Sequence, residues 1–323
     1  VEPGYGGGDA DPRGARRPAR RRARGAGALY WAIGAAALAL VVLVWNVRTA
    51  EDDSGVSGVA AHSTTAPDPA ASSGADADEA PVRPAGEQAL LANPLYETGR
   101  LAPLPCPAPE LEARDPASME RFLDAVADCL DETWQTQFER AGIPFDPPSR
   151  VFWTEPGTSP CRAYPSTAGA FYCRASKSIY IGTADVVDKW NGAEDSVVYA
   201  SLLAHEYGHH VQGESGLLDY YHEQRRHEPD AGAQNVWTRK SELQANCLAG
   251  AFLGSVAVSY PLAEADRETI REDAAATADR QGSTEAERTH GSAANSVLWI
   301  EHGMERQDPG SCNTWNVDAG LVQ

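Results

Sequence analysis

The sequence predicts an α+β domain, mostly helical with a small antiparallel sheet, preceded by one membrane-spanning helix and a flexible tether. Three observations predict it. Long stretches after residue 114 place apolar side chains at helical spacing between start and stop signals. Three short runs between residues 150 and 182 are apolar or alternating, as strands are. Residues 28–47 form one apolar segment, and the stretch that follows it to residue 98 has almost no large apolar side chains.

Taken in order, residues 1–27 are a basic tail with seven arginines between Arg13 and Arg24. In residues 28–47 only Gly34 and Asn46 fall outside the apolar set, and 20 helical residues span the ~30 Å core of a bilayer. Tyr30, Trp31 and Trp45 stand near the ends of the span, where interfacial aromatics belong. Arg48 occupies the exit, where a cleaved signal peptide would carry small residues, so an uncleaved anchor is the preferred reading. The arginines hold the N-terminus in the cytoplasm and place the rest outside: a single-pass protein of the cell membrane with an extracytoplasmic domain. Residues 48–98 are a linker of Ala, Ser, Gly, Asp and Pro, with order starting near Asn93–Tyr96, and residues 99–323 are the folded domain.

Charge follows that division. The chain has 27 Lys+Arg and 46 Asp+Glu, of which residues 1–48 hold eight and three, so the remainder has a net charge of −24. Such a surface argues against nucleic acid and against close contact with anionic headgroups. All six cysteines follow the anchor without a Cys-x-x-Cys pair, which points to disulfides outside the cytoplasm rather than a thiolate metal site. Of the fifteen possible pairings, the preferred set is Cys106–Cys129, Cys161–Cys173 and Cys247–Cys312.

Asp115 and Pro116 read as a helix N-cap and first turn. Met119, Phe122, Leu123, Val126, Leu130, Trp134 and Phe138 make its buried face, and Gly142 its stop. Strands are expected at Arg150–Thr154, Ala170–Cys173 and Ser178–Gly182, with the Cys161–Cys173 bridge pinning a hairpin-like corner. A helix from Ser196 ends at a Gly213 cap, and a polar loop occupies about 214–235. Helices follow at Val236–Ser259, 264–281 and Ser292–Met304, before a Pro309-Gly310 turn.

The chemistry concentrates in the helix from Ser196. His205, Glu206 and His209 form a His-Glu-x-x-His motif, and positions four apart on a helix share one face. Two neutral imidazoles aimed at one spot are half of a tetrahedral zinc site, with Glu206 placed to take a proton from water. A histidine six residues after His209 would complete a compact site, but Ser215 stands there. Asp219, His222, Glu223, His227, Glu228 and Glu242 are the downstream candidates for a third ligand. Glu242 is preferred because it lies on a helix, whereas the others fall in the expected loop. Ala245, Ala249 and Gly250 would let that helix approach Gly208 closely. Asn246 shares the face of Glu242, and Cys247 lies about 140° round the helix from it.

These blocks resemble the putative neutral zinc metallopeptidase family: His205-Glu-Tyr-Gly-His-His-Val-Gln212, Glu242-Leu-Gln-Ala-Asn-Cys-Leu-Ala-Gly250, and Thr289-His-Gly-Ser292 with Trp299 and Gly303. The resemblance runs from about Cys106 to Trp315. It implies a zincin-like metallopeptidase domain with His205, His209 and Glu242 on Zn2+ and Glu206 as the base. Two departures stand out. The family has aspartate where this chain has Asn246, a position that accepts a hydrogen bond from a ligand histidine. Ala294-Asn295-Ser296 replaces a Gln-Arg block. His290, ahead of a helix capped by Ser292, is a further catalytic candidate as an oxyanion donor. The expected activity is hydrolysis of peptide or protein substrates. The alternatives are a degenerate domain that only binds or assembles partners, and an amidase acting on cell-envelope peptide.

Overall fold

The computed structural model describes residues 82–165 and 169–323. The basic tail, the expected span 28–47 and most of the linker lie outside the described residues. Among those described, no helix is long and apolar enough to cross a membrane.

Within the expected linker, residues 88–97 are already structured. Helix α1 (Gln88–Leu91) and a 3-10 turn (Pro94–Glu97) bury Ala89, Leu90 and Leu95. Asn93 joins this segment to the domain by donating to the carbonyls of Ala89 (2.9 Å) and Ser215 (3.0 Å). The turn lies where order is expected to start; helix α1 is the departure, because its Leu90 is buried by Leu217, Leu218, Tyr221 and Trp315, more than a hundred residues away.

Helix α2 (Pro116–Ala141) starts and stops at the expected residues. Asp115 accepts from the Ala117 N–H at 3.1 Å, and Gly142 ends the helix at φ +65°, a conformation costly for any residue with a Cβ. Phe122, Leu130, Trp134 and Phe138 bury its apolar stripe in the main core.

The sheet departs from the antiparallel arrangement expected. Strands β1 (Ser149–Trp153), β4 (Ala170–Cys173) and β5 (Ser178–Gly182) run in the order β1-β5-β4. β5 is antiparallel to β4 but parallel to β1, with Ser149 opposite Ser178 and Trp153 opposite Gly182. Burial explains the order. All five residues of β5 are buried, which suits a central strand, whereas β1 begins exposed. The connection between β1 and β4 carries a two-stranded ribbon, β2 (Gly157–Thr158) with β3 (Ala163–Tyr164), and is long enough to let β5 enter between them. Disulfides join Cys106–Cys129, Cys161–Cys173 and Cys247–Cys312.

A short helix α3 (Thr183–Lys189) leads to α4 (Val197–Glu214), which is buried along most of its length. α4 does not stop at Gly213; the chain turns one residue past the helix cap, at Gly216, with φ +79°. The expected polar loop is largely helix: α5 (Leu217–His227) sets Leu217, Leu218 and Tyr221 against Leu90 and Trp315 in a small second core. Its mean composition is polar, and only those distant partners make a helix there worthwhile. α6 (Ala231–Val256), α7 (Glu264–Thr277) and α8 (Ala293–Arg306) complete the domain.

Close approach sets how α6 meets its neighbours. A Cβ at Gly208 would stand 3.0 Å from the Ala245 carbonyl oxygen, so α4 and α6 meet there as expected. Gly250 serves the opposite face. A Cβ there would lie 2.1 Å from the Ile300 carbonyl oxygen, and one at Gly303 would lie 2.0 Å from that of Cys247, so this pair brings α6 against α8.

Candidate metal centre

α4 and α6 cross where Gly208 meets Ala245, and that crossing places three side chains together. His205 Nε2 lies 3.2 Å and His209 Nε2 3.3 Å from Glu242 Oε2. Among the described residues these three form the group whose ligand atoms, all within 4.8 Å of one another, can hold a metal ion. Of the other candidates, Asp219 pairs with Arg174, Glu228 accepts from the Trp237 indole at 2.7 Å, and His222 lines the same cleft outside the cluster.

The far side of each imidazole decides what the near side offers. His205 Nδ1 is 2.8 Å from Asn246 Oδ1, and His209 Nδ1 is 2.9 Å from Gln212 Oε1. Gln212 is fixed in that orientation, since its amide nitrogen donates to the Ser241 carbonyl at 2.8 Å and to Gln244 Oε1 at 3.0 Å. An amide oxygen only accepts, so both Nδ1 atoms carry hydrogen, and each ring in its neutral form has its Nε2 lone pair on the side of Glu242. Gln212 was not singled out from the sequence as a partner of His209. Its signal was the spacing of three residues on one helix, which brings the two side chains to neighbouring positions.

Electrostatics favour a cation at this point. Burial opposes charge on His209, but the Glu242 carboxylate overcomes it and pushes the imidazole up to about 9. Burial likewise works to neutralise Glu242, while His209 and His205 hold its carboxyl well below the usual range. The cluster thus stabilises one positive charge against the carboxylate. Two imidazole nitrogens and one carboxylate oxygen, with oriented outer partners, fit zinc in a site that leaves a fourth position open.

The cluster opens into a cleft of about 570 Å³ lined by Ala170, Phe171 and Tyr172 of edge strand β4, by Tyr221 and His222 of α5, and by His290. Glu206 lies on its wall, 8 % exposed, and its carboxylate accepts no hydrogen bond among the described residues. His290 also faces the cleft and is exposed. The Ala294-Asn295-Ser296 block points elsewhere. Asn295 donates to the Gly320 and Gln323 carbonyls at 3.0 Å, and Ser296 to the His290 carbonyl at 3.3 Å.

A family model described as "Putative neutral zinc metallopeptidase" matches residues 107–315. The uncharacterized protein YpfJ of Escherichia coli is 29 % identical over 205 residues, covering 60 % of this chain and 71 % of YpfJ. The uncharacterized protein Mb2605 of Mycobacterium bovis is 30 % identical over 229 residues, covering 64 % of this chain and 75 % of Mb2605. No solved structure matches the chain at a significant level.

Proposed function

The chain belongs to the putative neutral zinc metallopeptidase family, and on that premise we propose that it is a zinc-dependent peptidase, anchored by residues 28–47, whose extracytoplasmic domain hydrolyses peptide bonds. The observation that carries this reading is the convergence of His205, His209 and Glu242 beside Glu206 on the wall of an open cleft.

Zinc held by those three side chains supplies Lewis acidity toward a scissile carbonyl and makes a water more acidic. The residues of the chain do the rest. Glu206 accepts a proton from the attacking water and returns it to the leaving amine. Asn246 and Gln212 keep the two rings in register. His290 donates to the carbonyl oxygen as negative charge gathers on it. The departure at residue 246 is the main argument for a domain that only binds partners. Its contact with His205 at 2.8 Å supports a working ligand set instead. The disulfides support placement outside the cytoplasm, where such bridges persist.

The test is hydrolysis of a denatured protein by the purified full chain, with and without a chelator. Cleavage that the chelator stops and zinc restores is expected. Cleavage indifferent to the chelator, or none by the zinc-loaded chain, overturns the proposal.

A further inference from the structure

The 14-residue helix α7 ends at Thr277, and the carboxylate that follows two residues later organises a loop the ligand motifs do not explain. Asp279 accepts from three successive backbone N–H groups: Thr289 at 2.8 Å, His290 at 3.0 Å and Gly291 at 2.8 Å. Its own N–H donates to the Gly291 carbonyl at 2.9 Å, and its side chain is 6 % exposed. Charged hydrogen bonds of this kind are about twice as strong as neutral ones, and here three converge on one group. Gly291 takes φ +83°, and a Cβ there would press within 3.0 Å of the Leu243 side chain, the neighbour of Glu242 on α6. The His290 carbonyl accepts from Ser296. The backbone on both sides of His290 is therefore fastened, and the residue lines the metal cleft.

One further contact sets the ring. Thr289 Oγ1 lies 2.8 Å from His290 Nδ1. A threonine hydroxyl that donates to Nδ1 leaves the proton of the neutral ring on Nε2. We propose that Asp279 and Thr289 are positioning residues: Asp279 fixes the loop, and Thr289 fixes the tautomer that turns an Nε2–H donor toward the substrate carbonyl. The proposal rests on the reading of the cleft as a peptide-hydrolysing site. It adds to that reading a buried carboxylate and a hydroxyl with no role in metal binding.

The experiment combines a mutant cycle on the zinc-loaded full chain with two measurements independent of turnover. Thr289→Val is expected to lower kcat about tenfold with little change in KM, and Thr289→Ser to restore it, as loss of one oxyanion donor lowers kcat by roughly 10²–10³ at most. Asp279→Asn is expected to lower kcat in the parent chain but not further in His290→Ala, because both act through the same ring. Ring nitrogen shifts of His290 should report a proton on Nε2, and amide exchange at Thr289, His290 and Gly291 should quicken in Asp279→Asn. A proton on Nδ1, or additive losses in the Asp279→Asn, His290→Ala double variant, overturns the proposal while leaving the peptidase reading intact. If the shifts and exchange behave as expected but the parent chain hydrolyses no peptide, the peptidase reading falls and the loop geometry stands.

Discussion

Changing residue 246 should move zinc affinity in opposite directions according to the acceptor it leaves. Asn246 Oδ1 takes the Nδ1–H of His205 at 2.8 Å, so the residue acts on the metal only through that ring. Alanine removes a neutral hydrogen bond of about 1 kcal/mol, roughly fivefold, and also frees the ring to turn. Outer partners of ligand histidines typically carry 10–100-fold in affinity, so about tenfold weaker zinc binding is expected for Asn246→Ala. Aspartate keeps the length and the acceptor but adds charge, and a charge-assisted bond is about twice as strong as a neutral one. The gain of about 1 kcal/mol predicts roughly fivefold tighter binding for Asn246→Asp, and the added negative charge near a dication acts in the same direction. Competition against a chelator of known affinity, at fixed pH and on the full chain, measures all three proteins. Affinities within about twofold of one another, or alanine binding more tightly than aspartate, would refute the idea that residue 246 tunes the metal through His205.

A disulfide and a half-buried histidine each give a further expected outcome. Replacing Cys247 and Cys312 together by serine opens a loop with a sequence separation of 65, which the chain-entropy model values at about 4 kcal/mol; urea unfolding that shows a loss under about 1 kcal/mol rejects it. His222 should titrate at about 4, below the ordinary 6.5, because burial disfavours its charge and Arg174, Arg225 and Arg226 repel it. The unfolded chain therefore takes up this proton first, so the stability contributed by a neutral His222 is complete above pH 6.5 and is lost as the pH falls toward 4. A histidine ring titration with its midpoint near 6.5, unmoved by Arg174→Ala, would contradict that account.

How much of this was legible in the sequence depended on how local the determining contact is. The ends of α2 were readable because Asp115, Pro116 and Gly142 act within one turn of themselves. The pairing of α4 with α6 was readable because Gly208 and Ala245 leave room on faces that also carry His205, His209 and Glu242. What escaped depends on distant partners. α5 forms where a polar stretch is expected because Leu217, Leu218 and Tyr221 meet Leu90 and Trp315. The parallel pairing of β1 with β5 follows from a central strand buried at every residue, a property no alternation pattern displays. Gly250 looked like space for α4 but receives α8, since a small residue marks a close approach without naming the neighbour. Asp279 reads as one acid among many until three N–H groups converge on it.

The central claim is that three side chains hold zinc while a fourth, Glu206, moves the proton. Glu206→Gln separates the two roles, because the amide has nearly the shape of the carboxylate but is no base. Zinc content and hydrolysis of a denatured protein are to be measured on the same preparation of the full chain. The account predicts one zinc per chain, as in the parent protein, with hydrolysis reduced by about 10²-fold or more. Turnover near that of the parent protein, or loss of the zinc, would contradict it.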